Sequence, residues 1–343
     1  MRVNIIGGGL AGCALAYVLK NNGAEPVIYE ASSCLAAGAS GNDVGLYNPR
    51  LSAHFDGMAQ FYSDGFFQAL EVFGHFGDAI DWNPCGALTL MTNERRIKRF
   101  RKTMASWDWS EEDMRLVSAQ EATDIAGVDV PNECLYLPRS GNISPKKICH
   151  EYARGVEVHL NHAVDDLEAL EGDVSVLACG IACLGFEEAA RIPLSTVRGQ
   201  VSYVAQTEAT KDLKVALSYG GHFAPARDGV HCVGSTFQPW DERIDLREED
   251  DSANLEKLFS VFPHLDGNYD IKGRRASMRT TSRDHFPVIG QLSDGVYIST
   301  AHGSYGILSS LVSANMLSNF IVGGGYAVSA EIESALSFTR FKG

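Results

Sequence analysis

Apolar and polar positions alternate along this chain in two rhythms. "RVNII", Arg2 to Ile6, is a short, nearly continuous apolar run of the kind a strand buried on both faces produces. Ala11 to Asn22 has helical character up to a stop at Gly23, and "EPVIYE", Glu25 to Glu30, predicts a second strand. Further along, "SPKKICHEYAR" predicts a helix with Ser144 as N-cap and Pro145 at the first helical position. "VEVHLN" reads as a strand, and "VSVLACG", Val174 to Gly180, as a buried strand ending in a glycine turn; it belongs beside the first strand in a sheet. Residues 197 to 235 alternate in several short strands broken by Gly220, Gly221 and Gly229, the pattern of a more antiparallel sheet. The strand "GVYISTA" then leads to His302 and to a last apolar helix from Ile307 to Ile321. No internal repeat or low-complexity linker interrupts the series.

The first two strands enclose a glycine motif. "GGGLAG" supplies Gly7-x-Gly9-x-x-Gly12 in the order strand, turn, helix, and Glu30 follows Gly12 by eighteen residues, where a carboxylate can accept hydrogen bonds from the ribose hydroxyls of an adenine dinucleotide. Gly7 permits the tight turn, Gly9 lets the backbone approach a pyrophosphate at the helix N-terminus, and Gly12 lets helix and strand pack closely. Glu30 would repel a ribose phosphate, so NADP is disfavoured and FAD and NAD remain.

Composition narrows the class. With 343 residues, 45% hydrophobic and 21% charged, the chain has material for two domains and a sizeable core. No run approaches the roughly 20 apolar residues of a membrane span, and the first strand starts at Arg2, so a cytoplasmic protein is expected. The eight cysteines form no Cys-x-x-Cys pair and stand near no histidine array, so neither a metal site nor a disulfide framework is indicated. A net charge of −14 argues against a broad nucleic-acid surface, but it leaves room for a local patch. One exists: "ERRIKRFRKTMASW" is basic from residue 94 to 102, while Ile97, Phe100, Met104 and Trp107 recur at helical spacing. Its basic face is either solvated or a contact for nucleic acid.

"GASGNDVGLYNP", Gly38 to Pro49, brings a cluster of small residues just after the dinucleotide unit, as a backbone lying close to a flat ligand requires. Here the chain resembles the D-amino acid oxidase and glycine oxidase superfamily of FAD enzymes. Within it the likeness is to the oxidase half of the bifunctional bacterial enzymes that mature 5-methylaminomethyl-2-thiouridine in tRNA. "GASGN" with Gly45 and Pro49, "RGQ" at Arg198 to Gln200, "RTTSRDHFPVIG" from Arg279 to Gly290 and "HGSYG" at His302 to Gly306 carry the resemblance, in order along the whole chain.

The resemblance implies an α/β fold, α+β overall: a Rossmann-like FAD-binding domain, discontinuous in sequence (1–83, 138–195 and 275–343), with a substrate domain of mixed or antiparallel sheet (84–137 and 196–274). It implies that Ser40, Gly41, Asn42 and Gly45 line the flavin, with Gly180 beside the cofactor. FAD is expected to be non-covalent, because no cysteine follows Cys232 to tether it. Arg279 is expected to pair a substrate carboxylate bidentately; the competing possibility is a structural pair with Asp284, which could also hold the "RDHFP" turn. Gly303, Ser304 and Gly306 would bring a helix N-terminus to the flavin carbonyl. His222 stands where small-amino-acid oxidases tend to place a substrate-binding tyrosine, or else is a core or surface histidine. Tyr305 stands where the tRNA type has arginine.

Three functions follow. The first is removal of carboxymethyl from the N–CH2–COO⁻ unit of a modified wobble uridine, with tRNA held by the basic helix and a separate methyltransferase as partner. The second is oxidation of a free small amino acid such as glycine, sarcosine or a D-amino acid. The third is flavin binding without turnover.

Overall fold

A computed structural model describes residues 1–341. Its first sheet has six strands in the order Val288–Ser293, Val296–Thr300, Val174–Leu177, Arg2–Ile6, Glu25–Glu30 and Glu157–Leu160. All neighbours are parallel except the edge pair Val288–Ser293 with Val296–Thr300. Arg2–Ile6 lies at its centre with Val3, Asn4, Ile5 and Ile6 all buried, which is why it reads as an apolar run rather than an alternation. "VSVLACG" does pair with this first strand, Ile5 opposite Val176. The helices Leu10–Asn21, Gly57–Phe76, Pro145–Tyr152 and Gly306–Val322 contribute to one apolar core against this sheet. Ser144 caps Pro145–Tyr152 by accepting from the Lys147 N–H.

The second sheet has eight strands, in the order Ile271–Ser282, Leu194–Ala205, Val230–Gly234, His222–Phe223, Ala216–Ser218, Ala87–Leu90, Cys134–Leu137 and Arg115–Val117. It is antiparallel apart from the parallel pair Ala216–Ser218 with Ala87–Leu90, hence mixed. The first of the short strands expected after residue 196 is instead a 12-residue strand, Leu194–Ala205. It persists through Gly199 because it pairs along its length with Ile271–Ser282. These two strands therefore run across the boundaries expected at 195/196 and 274/275.

The basic segment forms the helix Glu94–Ser106, capped by Asn93, with Phe100 and Trp107 buried and Ile97 and Met104 packed beside them. Two expectations are corrected here. The helix from Ile307 to Ile321 is not the last: Ala330–Leu336, capped by Ser329, follows and packs into the same core. And Gly303–Val322 is long and apolar enough to cross a membrane by length and composition, although 67% of that window is buried inside the protein. Its serines at 309, 310, 313 and 318 are fully buried and break what would otherwise be a continuous apolar run in the sequence.

Candidate active site

A cavity of about 740 Å³ runs from the carboxyl ends of the first sheet to the face of the second. Ile6, Tyr29, Ala178 and Thr300 mark strand ends on one side; Val201, His222, Ser235 and Arg279 mark the other. The crevice beyond the carboxyl ends of parallel strands is where open α/β sheets bind ligands.

At the first sheet, Gly7 adopts φ +113°, a conformation that side chains rarely tolerate, and turns the strand into the helix. Gly12 lies against the Gly7 carbonyl and Ile5, so its missing side chain serves helix–strand contact, and it does not line the cavity. Gly9, the N-cap of Leu10–Asn21, makes no side-chain cap, while the Leu10 N–H donates to Ser40 Oγ at 2.9 Å. With the Leu10 N–H taken by Ser40, the helix opens into the cavity at Ala11, whose N–H is left for an anion. Glu30 is held from behind: its oxygens accept from the Gly8 N–H at 2.7 Å and the Ser32 N–H at 2.8 Å, which fixes the carboxylate at the cavity wall. An uncapped helix end, a glycine approach and an anchored carboxylate fit the pyrophosphate and ribose of a dinucleotide.

The small-residue segment divides by role. Ser40, Asn42 and Gly45 line the cavity and Gly41 does not. A side chain at Gly41 would meet the Ala36 carbonyl and the guanidinium of Arg275, and one at Gly45 would meet Ile307 at 2.8 Å and Pro145 at 2.9 Å. At these two positions smallness therefore answers neighbouring protein atoms rather than a ligand. Arg275 donates to Asn42 Oδ1 at 2.9 Å, to the Ala37 carbonyl at 3.1 Å and to the Gly38 carbonyl, pinning the segment to the second sheet.

Gly180, Gly303, Ser304 and Gly306 line the cavity, the last three where the helix Gly306–Val322 begins. His302 lies beside them, bonded to Ser299 Oγ at 3.1 Å and Ser309 Oγ at 2.9 Å, and burial pushes its pKa down to about 4. Tyr305 is not at the cavity. It is exposed, 5.6 Å from the Tyr62 ring, because the turn Gly303–Tyr305 sends its side chain outward. A cation stands near it all the same: the Arg50 guanidinium lies 5.9 Å from the Tyr305 ring and 4.2 Å from that of Phe286.

At the far end, Arg279 Nη2 donates to Ser235 Oγ at 2.6 Å, while Nη1 is buried with no partner. Burial lowers the pKa of this guanidinium. Among the described residues no carboxylate pairs with it. Asp284 pairs with Arg340 instead, at 2.8 and 3.1 Å, and accepts from the Phe286 N–H at 3.0 Å, so the Arg279–Asp284 pair is excluded while the turn-holding role is seen. His222 shares the cavity, with Nε2 3.6 Å from Cys232 Sγ; burial, and then the nearby charges of Arg279 and Lys257, push its pKa down to about 4. It is neutral at pH 7.

The family model of FAD dependent oxidoreductases named DAO matches residues 2–319. The chain belongs to the DAO family. Among curated relatives, the tRNA 5-methylaminomethyl-2-thiouridine biosynthesis bifunctional protein MnmC of Nitrosospira multiformis is 28% identical over 368 residues, and that of Idiomarina loihiensis 29% over 361. The matches cover 98% and 99% of this chain but 59% of each relative, so this DAO protein spans about three-fifths of their length. Glycine oxidase from Geobacillus kaustophilus superposes with a TM-score of 0.84 at 18% identity, over 100% of both chains. Iminodiacetate oxidase from Chelativorans sp. BNC1 gives 0.80 at 18%, over 98% of both. These establish the shared oxidase fold. The DAO family binds FAD, as the anchored Glu30 and the open helix end accommodate, and the chain is an FAD-dependent oxidoreductase.

Three contributors escape sequence reading. Ser235 holds Arg279, and Arg275 holds the small-residue segment. Gly199 is the third: the Arg279 guanidinium lies across it, Cζ 2.7 Å from where a side chain would begin. "RGQ" is visible in the sequence, but its meaning is split between two faces. Gly199 faces the Arg279 guanidinium, whereas fully buried Arg198 faces away and pairs with Asp250 at 2.6 Å.

Proposed function

We propose that this chain removes the carboxymethyl group from 5-carboxymethylaminomethyl uridine, with or without the 2-thio group, at the wobble position of tRNA. The observation that carries the reading is the Arg279 guanidinium, buried at the cavity with one nitrogen unpartnered and, among the described residues, no carboxylate beside it. A buried cation without a counter-charge is costly, and a substrate carboxylate supplies both the charge and a second hydrogen-bond acceptor. Gly7, Gly9, Glu30, Ser40, Asn42 and Gly180 would hold the cofactor, with Gly303, Ser304 and Gly306 presenting the helix end to it. FAD, when bound, takes up the hydride lost from the substrate's α-carbon.

The protein's own part is to position. Ser235 fixes one edge of Arg279, leaving the other to orient the N–CH2–COO⁻ unit. Neutral His222 adds hydrogen-bonding capacity to the cavity without adding charge, and neutral His302, both of whose ring nitrogens are held by Ser299 and Ser309, likewise adds no charge. Water hydrolyses the resulting substrate imine to glyoxylate and the aminomethyl base. The enzyme acts in the cytoplasm, the helix Glu94–Ser106 contacts tRNA, and a separate methyltransferase acts on the product.

A second reading, oxidation of free glycine, sarcosine or a D-amino acid to release peroxide, is favoured by Tyr305 in place of the arginine and by the net charge of −14. Total tRNA from cells lacking this protein, incubated with FAD-loaded enzyme and digested to nucleosides for mass analysis, separates the two. Loss of the carboxymethylaminomethyl nucleoside supports the first. An unchanged nucleoside with peroxide formed from glycine or sarcosine selects the second.

A further inference from the structure

Beside the basic helix is a second cavity, of about 290 Å³, lined by Asn93, Arg95, Arg96 and Arg99. Among the described residues the helix forms two ion pairs, Lys98 with Glu94 and Arg101 with Glu133; Arg95, Arg96 and Arg99 have none. A fourth cation comes from another element. Lys257, on the helix Glu248–Val261, donates to the Gly220 carbonyl, and a side chain placed at Gly220 would meet Arg96 Nη2 at 3.2 Å and Lys257 Cε at 3.7 Å. Arg96 is itself fixed, donating to the Leu90 carbonyl at 3.2 Å. Burial and then mutual repulsion lower the pKa of both cations, Arg96 through Arg99 and Lys257 through Arg96. Like charges held together by carbonyls, with no carboxylate between them, form a receptor for an oxyanion.

Its position says which one. The turn Gly220–Gly221 leads directly into His222, which lines the main cavity and feels the charge of Lys257. The Arg96 end of the basic cavity therefore lies beside a turn that is two residues along the chain from a wall of the active site. A single small-molecule substrate within the main cavity would have no use for it. A nucleotide whose base enters the main cavity leaves its backbone outside, where phosphates position and the base specifies.

We propose that Arg95, Arg96, Arg99 and Lys257 form a phosphate-binding site that grips the RNA backbone next to the nucleoside being oxidised. This rests on the tRNA reading above and adds to it a defined anion site built from two helices and the Gly220–Gly221 turn. The site holds one phosphodiester, with Arg96 presenting its fork and Lys257 a point charge.

The test uses FAD-loaded enzyme, so that the cofactor's own pyrophosphate site is filled, and compares wild type with Arg96→Gln/Lys257→Gln and with Arg95→Gln/Arg99→Gln. The second pair alters exposed side chains and secures the test should the first fail to fold. One arm measures binding of an unmodified anticodon stem-loop RNA against KCl concentration. Removing one phosphate interaction lowers the slope of log K against log salt by about 0.7 and the affinity by roughly tenfold at low salt. The other arm measures the thermal shift produced by inorganic pyrophosphate at constant ionic strength, expected in wild type and abolished in the variants. RNA affinity and salt slope unchanged in both variants, with no pyrophosphate shift in wild type, overturns the site and leaves the tRNA reading standing. A pyrophosphate shift that the variants abolish, without RNA binding by wild type, upholds an anion site for a free phosphate compound and overturns both the RNA backbone as its occupant and the tRNA reading.

Discussion

Replacing Gly199 by alanine adds one methyl group where the Arg279 guanidinium lies. The new carbon would stand 2.5 Å from Nη2 and 2.7 Å from Cζ, whereas ordinary contact begins at 3.4 Å. The guanidinium must then retreat by roughly 1 Å, and a displacement of that size in a positioning group costs on the order of 100-fold in rate. Stability moves the other way. Gly199 lies inside a strand and is not among the residues with positive φ, so alanine relieves a glycine's entropic cost of about 0.5–1 kcal/mol, and what it strikes is the end of a flexible side chain rather than backbone. Gly199→Ala should therefore bind FAD and melt at or near the wild-type temperature, yet undergo flavin reduction by a carboxylate-bearing amine about 100-fold more slowly. Anaerobic stopped-flow reduction, run beside thermal melting, measures both. Wild-type reduction in Gly199→Ala would refute the argument that Arg279 works from a fixed position; a large fall in melting temperature or FAD occupancy would show that the methyl group disturbs the sheet and not the clamp.

Two further outcomes follow from the geometry. His222 and His302 have folded pKa values of about 4 against an ordinary value near 6.5, so below pH 6.5 the unfolded chain takes up protons that the folded protein refuses. Their contribution is complete above pH 6.5 and falls towards pH 4, by about 2 to 3 kcal/mol for each histidine; urea titrations at pH 7.5 and 4.5 should show a smaller pH dependence in His222→Gln than in wild type, and equal dependence would place that histidine in contact with solvent. Burial would raise the pKa of Asp284, but Arg340, the Phe286 N–H and the Ser282 hydroxyl together bring it to about 2. Asp284→Asn should cost about 1 kcal/mol in denaturant unfolding, with amine-driven flavin reduction unaltered, and a slowed reduction would mean that the turn reaches Arg279 after all.

What the sequence made legible was local. Gly7, Gly9, Gly12 and Glu30 sit within one strand–turn–helix–strand unit, so their spacing alone indicates a dinucleotide cradle, and Ser144–Pro145 indicates its helix for the same reason. Arg279 was legible through the resemblance of "RTTSRDHFPVIG", but its surroundings were not. Gly199 reaches it only because Leu194–Ala205 and Ile271–Ser282 pair in a register that sets Val197 opposite Arg279, with Gly199 diagonal to it, and Ser235 only because Val230–Gly234 pairs on the other side of Leu194–Ala205, Gly234 opposite Val201. Nothing within either strand's own pattern states that register. Gly199 even misdirects, since a glycine in an alternating run suggests a break. Tyr305 fails differently: its place in "HGSYG" is clear, but which way a side chain leaves a one-turn helix depends on what packs behind it, here Tyr62.

The helices Leu10–Asn21 and Gly306–Val322 pack against one another in the core, yet they stand almost at opposite ends of this sequence. On a ribosome the first of them emerges with an apolar side that has no native cover until about 300 further residues have been made, and the strand Val296–Thr300 joins the parallel sheet just as late. The nucleotide cradle is thus written long before it is closed. Until then the nascent polypeptide carries a partly exposed greasy helix, dependent on whatever shields such surfaces in the cell, and the cofactor's arrival belongs to the end of that wait.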